Sequence, residues 1–169
     1  MKIVDQIILS ISKFCTDEKC PYKDFYEDEF ESDEFAEICI FNFCYAWLFI
    51  LDEDLMRLTD ENILKYQLFC LRFINEISSS EIEPIEFVNM FRERYTSYRQ
   101  ELEDFKERSD FPSYSFFRLF LFPLKKGSIN DSNIAEEYFS EEGFSDEDTF
   151  RAAYISQINF LQTNLENLI

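Results

Sequence analysis

The chain has 169 residues and a formal net charge of −19, from 35 acidic and 16 basic residues, with no histidine and only two glycines. Without histidine it has no Ser-His or Cys-His catalytic pair and no His-bearing metal motif, and with so little glycine it has no Gly-rich phosphate-binding loop. The hydrophobic fraction of 46% is too high for a disordered chain, while two glycines and four prolines supply too few turns for a β-sandwich or barrel. We therefore predict an all-α class: a single domain over residues 1–169, folded as a compact bundle of about five to seven helices.

The first predicted helix covers residues 3–15, where apolar residues recur at spacings of three and four. An acidic connection follows at about residues 16–31, in which Pro21 interrupts helix formation. Between Asp17 and Glu37 there are ten acidic residues and two lysines. This stretch is therefore predicted to lie at the surface, in water.

Residues 38–51, with the sequence ICIFNFCYAWLFIL, form the longest apolar run of the chain, at 14 residues. A helix that spans a bilayer needs roughly 20 residues, and this run is followed by three acidic residues at 52–54. A helix that is apolar on all sides belongs in the middle of a bundle. We predict that a helix from about 33 to 53, with Ser32 as N-cap, is the central helix of the bundle, and that Trp47 is buried in it.

Two further helices are predicted before residue 110. Thr59 is expected to cap the first of them, which ends at the serines at 78–80. Its predicted inner face contains Ile63, Leu64, Leu68, Leu71, Ile74 and Ile77. The second runs from about residue 84 to 108, with Pro84 in its first turn. Its predicted inner face contains Ile85, Val88, Phe91, Tyr95, Leu102 and Phe105.

On this second helix, Arg92 and Arg99 lie seven residues apart on a face that also carries Tyr95. Such a face has the groups to bind an anion or to stack on an aromatic group of a partner. The alternative is a solvated surface whose arginines neutralise neighbouring glutamates. We favour the solvated surface, because charge runs on helices usually face water.

The C-terminal third contains one more connection between two helices. Residues 112–124 are rich in phenylalanine and leucine and predict a short buried helix, whereas residues 127–144, which hold both glycines, predict a second acidic connection. The last helix is expected to begin near Ser145, which with Asp148 resembles a capping box. Its predicted inner face contains Phe150, Tyr154, Ile158, Leu161, Leu165 and Leu168.

The five cysteines are an odd number, and the N-terminus has no apolar secretory signal, so we predict reduced thiols in the cytoplasm. Cys15 and Cys20 have a spacing that resembles half of a zinc site, which would need a second such pair. Cys39 and Cys44, the nearest candidates, are expected to point apart on the central helix. We therefore predict no metal site and no cofactor, and we expect Cys39, Cys44 and Cys70 to be core residues.

Two acidic segments, residues 17–37 and 131–148, are the strongest surface feature of the sequence. They repel nucleic acid and anionic membranes, which are also negative, and they attract a basic protein. The predicted partner-binding residues are Asp24, Glu27, Asp28, Glu29, Glu31, Glu136, Glu137, Glu141 and Glu142, with Tyr26 and Phe30 as aromatic anchors.

Two functional hypotheses follow from this charge. The first is a non-enzymatic module that captures a basic protein partner, as immunity proteins, inhibitors and DNA mimics do, and that binds neither nucleic acid nor membranes. The second is a structural or assembly module, a monomer or a homodimer, whose acidic surface serves solubility. An enzyme is disfavoured, because carboxylates are abundant but no pair among them stands out as an acid and a base.

Overall fold

The fold is built from helices of very different length. The computed structural model describes residues 2–16, 20–22, 31–124 and 144–169. Its helices are α1 (Lys2–Thr16), α2 (Ser32–Asp52), α3 (Asp60–Ile77), α4 (Pro84–Arg108), α5 (Ser113–Phe116) and α6 (Phe144–Glu166). Helix α5 continues directly into a π-helical turn, Phe117–Leu121. These described ranges contain helices and no strand, which confirms the predicted all-α class.

Helix α2 is the central element, as predicted. It packs against α1, α3, α4, α6 and the π-helical turn, and 13 of its 21 residues are buried. By length and composition alone it would suffice to cross a membrane, but 72% of its most apolar window is buried inside the protein. Trp47 is 5% exposed, with its ring centroid 4.9 Å from that of Tyr66, so its predicted burial is confirmed. The apolar character of α2 is used here to form a protein core.

Asn42, a polar residue within this apolar helix, has a partner on another helix. The Gln157 side-chain amide, on α6, donates a hydrogen bond to Asn42 Oδ1 at 2.8 Å. The Cys20 thiol in turn donates to Gln157 Oε1 at 3.6 Å. Because buried polar groups cost free energy unless they are hydrogen-bonded, this contact fixes how α6 sits on α2.

The predicted N-cap of α2, Ser32, is off by one residue. Glu31 is the N-cap, with extended backbone angles, and its backbone N–H donates to Glu34 Oε2 at 3.0 Å. The Glu34 carboxylate thus satisfies the backbone of the capping residue, and Ser32 becomes the first helical residue. Two further predicted helix starts are confirmed: the Asn62 backbone N–H donates to Thr59 Oγ1 at 3.3 Å, and Pro84 occupies the first turn of α4.

The predicted inner faces of α3 and α4 are partly wrong. On α3, Leu64 and Leu68 are 47% and 41% exposed, and on α4 Ile85 is 77% exposed. The residues that α3 buries are Tyr66, Gln67, Cys70, Leu71 and Ile74. The residues that α4 buries are Phe87, Met90, Phe91, Arg94, Tyr98, Glu101 and Leu102. The error has the same cause in both helices. Each helix buries polar and aromatic residues that the apolar pattern did not include, so its buried face is rotated and some of the predicted aliphatic residues are exposed.

Helix α6 and the cysteines agree with the sequence-based predictions. Of the predicted inner face of α6, only Leu168 is incompletely buried. Cys39, Cys44 and Cys70 are core thiols that form no disulfide, and burial raises the pKa of the Cys44 thiol well above its usual value. A buried thiol with a raised pKa is a poor nucleophile, so these residues contribute packing.

Candidate functional site

Of the predicted partner-binding residues, the structure describes Glu31, which is exposed at the start of α2 and caps that helix. The others lie outside the described residues: Asp24, Tyr26, Glu27, Asp28, Glu29, Phe30, Glu136, Glu137, Glu141 and Glu142. Most of the two predicted acidic connections, at about 16–31 and 127–144, also lies outside them. The part of the surface that the structure describes offers a different candidate site.

That candidate is a cleft with a volume of about 300 Å³ at the ends of α2 and α6, beside the last turns of α4. Its floor is apolar and aromatic, and consists of Tyr45, Leu48, Phe49 and Leu102. Leu48 and Leu102 are largely buried, while Tyr45 and Phe49 are half-buried. The cleft therefore has an apolar surface for contact at its base.

The rim of the cleft is charged and predominantly acidic. It carries the carboxylates of Asp52, Glu53, Glu103 and Glu166 and the basic groups of Arg99 and Lys106. Arg99 Nε lies 3.5 Å from Glu103 Oε1, so one basic group already has an acidic partner. The Gln162 side-chain amide donates to Glu166 Oε1 at 2.8 Å and holds that carboxylate in place. The rim thus has an excess of negative charge.

Two helix ends add to this negative charge. Helix α2 ends at Asp52 and helix α6 ends at Glu166, and both residues line the cleft. Neither helix has a basic residue in its last turn. Because the C-terminal end of a helix carries a partial negative charge, which a lysine or arginine there would offset, the two helix ends strengthen the field of the rim.

Tyr45 lines the cleft, and its hydroxyl is affected both by burial and by two carboxylates of the rim. Burial, followed by the nearby Glu166 and Asp52 carboxylates, raises the pKa of the Tyr45 hydroxyl to about 12. The phenol of Tyr45 therefore stays neutral at physiological pH. Burial is the larger cause and disfavours a buried charge of either sign, whereas the two carboxylates disfavour an anion in particular.

Nearer the N-terminal end of α2, away from the cleft residues of that helix, α2 and α4 are joined by a buried ion pair. Arg94 Nε donates to Glu37 Oε1 at 2.5 Å and Nη2 donates to Oε2 at 3.1 Å. Burial by itself lowers the pKa of Arg94, but the Glu37 carboxylate more than offsets this effect and raises it. Glu37 Oε2 also accepts a hydrogen bond at 2.8 Å from the backbone N–H of Leu124, a residue with a positive φ of 55°. One carboxylate thus ties three segments together.

The π-helical turn places a second buried arginine. Arg118 is fully buried, its Nη2 donates to Glu93 Oε1 at 2.6 Å, and its Nε donates to the Tyr114 hydroxyl at 3.3 Å. The turn is held by a hydrogen bond from the Phe122 N–H to the Phe117 carbonyl oxygen, at 2.7 Å. The wider π-helical spacing directs Arg118 back onto α4, where its charge is paired.

Glu101 is, with Arg94, one of two buried residues on α4 whose side chains are ordinarily charged. Its carboxylate accepts hydrogen bonds from the Ser115 backbone N–H, at 2.9 Å, and from the Ser115 hydroxyl. Burial raises the pKa of Glu101 to about 7, although the bonds from Ser115 oppose the rise. No basic side chain contacts it among its described hydrogen bonds and ion pairs, which is why its environment differs from that of Glu37. These groups hold helices together, and the described residues contain no cluster that could hold a metal ion.

The sequence did contain a signal for the buried arginine of α4. Arg94 stands between Phe87, Phe91 and Tyr98 at helical spacings, so it lies on the apolar stripe and not on the polar one. The neighbouring face that was considered as an anion site differs: Arg92 and Arg99 are exposed, and Arg99 pairs with Glu103. The solvated interpretation of that face agrees with these contacts.

No protein-family model, curated protein or solved structure matches this chain. Its function is therefore inferred from its own residues: an acidic rim over an apolar floor, and a large net negative charge.

Proposed function

We propose that this chain is a non-enzymatic module that captures a basic protein partner, in the manner of an immunity protein, an inhibitor or a DNA mimic. The observation that carries the proposal is the cleft between α2, α4 and α6, in which carboxylates surround an apolar floor. Protein interfaces combine an apolar centre with a polar rim, and this cleft has both. The proposal includes a cytoplasmic location and no binding to nucleic acid or membranes.

The net charge of −19 supports the same proposal by its effect on association. A strongly negative surface attracts a positively charged protein over distances of about a Debye length, roughly 8–10 Å at physiological salt. It raises the rate of encounter and disfavours acidic competitors. The acidic segments at 17–37 and 131–148 and the cleft would act together in this steering.

The proposal is tested by capture followed by kinetics. The immobilised chain is exposed to an extract of its host at low salt, bound proteins are eluted with a salt gradient, and each is then purified. We expect a basic protein whose association rate constant falls steeply between about 50 and 500 mM salt while its dissociation rate constant changes little. Reversing the charges at Asp24, Glu27, Glu136 and Glu141 should lower that association rate constant.

Two results would contradict the proposal. One is a set of captured proteins that are not basic. The other is an association rate constant that is unaffected by salt and by charge reversal in both acidic segments, which would mean that the acid serves solubility. The matched control reverses four exposed acidic residues outside both segments and outside the cleft, so that the total charge changes by the same amount: Glu61, Glu81, Glu83 and Glu107.

The second hypothesis, an assembly module or homodimer, is favoured by one surface of α3. Leu64 and Leu68, four residues apart, are exposed together with Phe69. A contiguous apolar face on a helix is a common element of an interface between copies of one chain. Sedimentation equilibrium tests this alternative: it requires a mass near twice 20.4 kDa that returns to 20.4 kDa in the Leu68→Lys variant.

A further inference from the structure

We propose that the cleft between α2, α4 and α6 binds a single arginine side chain of the partner, which would be the anchor of the complex. This inference rests on the proposed function and makes it specific. A cleft of about 300 Å³ is at the lower limit of small-molecule pockets, which span about 300–1,000 Å³, so it suits one long side chain better than a cofactor.

The composition of the cleft fits the two parts of an arginine. The aliphatic stem of an arginine packs on apolar surface while its charged head stays among polar groups. Leu48 and Leu102 supply the apolar surface, and the half-buried rings of Tyr45 and Phe49 supply faces on which a planar guanidinium stacks. The stem and the guanidinium of one arginine side chain thus match the apolar and the charged residues that line the cleft.

The position of the carboxylates favours arginine over lysine. Asp52 and Glu166 come from the ends of two different helices, and both line the cleft together with Tyr45. A guanidinium has five N–H donors in one plane and can bond to carboxylates on more than one side, whereas an ammonium is a compact point charge. The uncompensated C-terminal ends of α2 and α6 favour a cation at the same place.

Among the described residues, neither Arg99 nor Lys106 forms an ion pair with these two carboxylates. Arg99 pairs with Glu103 on its own helix, α4. Glu166 receives a hydrogen bond from the neutral amide of Gln162, which orients the carboxylate without neutralising it. The charges of Asp52 and Glu166 would therefore be available to an incoming arginine.

The experiment is an NMR titration of the whole chain with three small probes: acetyl-arginine amide, acetyl-lysine amide and acetyl-citrulline amide. Citrulline has nearly the shape of arginine but is neutral, so it isolates the charge. We expect the arginine probe to shift the backbone amides of residues 48–53, 99–106 and 162–166, with an affinity about tenfold higher than the lysine probe and without saturable shifts from citrulline. Equal affinity for the three probes, or shifts that avoid these residues, would overturn the inference.

The variants neutralise the two carboxylates without changing their size. Asp52→Asn with Glu166→Gln is expected to weaken arginine binding by about tenfold or more. Both residues lie at helix C-termini, where loss of a negative charge favours the helix, so the variant is expected to stay folded, which an unchanged circular dichroism spectrum and melting temperature verify. Glu61→Gln with Glu81→Gln is the matched control, because it removes the same charge from exposed positions outside the cleft and should leave binding unchanged.

A basic partner, once captured, separates this inference from the proposed function. If the Asp52→Asn, Glu166→Gln variant binds that partner as tightly as the unchanged chain does, with the same salt dependence, the cleft is not the anchor site while the proposed function stands. If no basic partner binds in a salt-dependent manner although the arginine probe occupies the cleft, the proposed function is wrong. Weakened partner binding in this variant and not in the control supports both.

Discussion

Arg94 and Glu37 form an ion pair inside the protein, 57 residues apart in sequence, with Nε 2.5 Å from Oε1 and Nη2 3.1 Å from Oε2. The two side chains are 1% and 0% exposed. Burying two charges is costly, and the cost is offset only when each is paired and hydrogen-bonded. The pair therefore links α2 and α4, because a packing of the two helices that separated these groups would leave both charges buried without a partner.

The first prediction concerns this pair. Glu37→Gln leaves the Arg94 charge buried without a counter-ion and should lower the free energy of unfolding by about 3–5 kcal/mol. Arg94→Met should cost a similar amount, and the variant with both changes should be less unstable than the two costs added together, because it leaves no buried charge. Urea unfolding followed by circular dichroism measures all three. Arg92→Met, an exposed arginine on the same helix, is the control and should change stability by about 0.5 kcal/mol or less.

The second prediction is a pH dependence that arises from Glu101. Burial raises the pKa of its carboxyl from 4.5 to about 7, so between these values the folded protein holds a proton that the unfolded chain has lost. The contribution of Glu101 to stability is therefore full below pH 4.5 and falls as pH rises to about 7, by about 3 kcal/mol at most.

Glu101→Gln should remove this dependence, since an amide carries no charge at any pH. The measurement is the difference in free energy of unfolding between the two proteins from pH 5 to pH 8, which should shift in favour of the variant as pH rises. A constant difference over that range would show that the carboxyl is ionised throughout. Glu81→Gln, at an exposed position, serves as the reference for the general effect of removing one negative charge.

The third prediction concerns the core around Trp47. Its ring contacts that of Tyr66 and faces Phe91, with centroids 4.9 and 6.5 Å away. Trp47→Ala should lower the free energy of unfolding by about 3–5 kcal/mol, because it removes a large buried side chain and leaves a cavity. Ile85→Ala, at a position that is 77% exposed, should cost far less. Tryptophan emission of the unchanged chain at the wavelength of the free amino acid in water would contradict the burial itself.

The fourth prediction compares two leucines of α3. Leu71 is buried and Leu68 is 41% exposed, although they lie three residues apart on the same helix. Leu71→Ala should lower the free energy of unfolding by about 2–5 kcal/mol, whereas Leu68→Ala should cost about 1 kcal/mol or less. Thermal unfolding in dilute solution distinguishes them. Equal costs would mean that the face of α3 that carries Leu68 is covered, as the assembly hypothesis requires.

The fifth prediction concerns nucleic acid. A chain with a net charge of −19 meets repulsion from a duplex that carries about one negative charge per 1.7 Å. We expect no shift of duplex DNA or single-stranded RNA in a gel at micromolar protein and physiological salt. Submicromolar binding that is insensitive to salt would refute this expectation and, with it, the assignment of the acidic surface to a basic protein.

Local sequence signals were sufficient for the helices themselves. Thr59 and Pro84 mark helix starts through their own backbone chemistry, and the apolar run at 38–51 is long enough to identify the central helix without knowledge of its neighbours. These properties depend on residues within one turn of each other, so the order of the amino acids determines them. The all-α class follows from the same local information.

Which face of each helix is buried was decided by tertiary contacts. Leu64, Leu68 and Ile85 have the spacing of core residues but are exposed, because α3 and α4 turn other residues inward. Arg94 and Glu101 are charged but lie inside, because Glu37 and Ser115 on other segments hydrogen-bond to them. Hydrophobic periodicity predicts burial from the free energy of transferring each side chain to an apolar medium. It does not include the hydrogen bonds that a side chain forms with a residue on a distant helix.

The candidate cleft is also formed by tertiary contacts and could not be predicted from local sequence. Asp52 and Glu166 are the last residues of two helices more than a hundred positions apart, and nothing in either local sequence indicates that the two ends meet. From composition alone the chain was predictably helical and acidic. Which carboxylates line the same cleft was decided by the packing of α2 against α4 and α6. That packing depends on how buried side chains from distant parts of the sequence fit together.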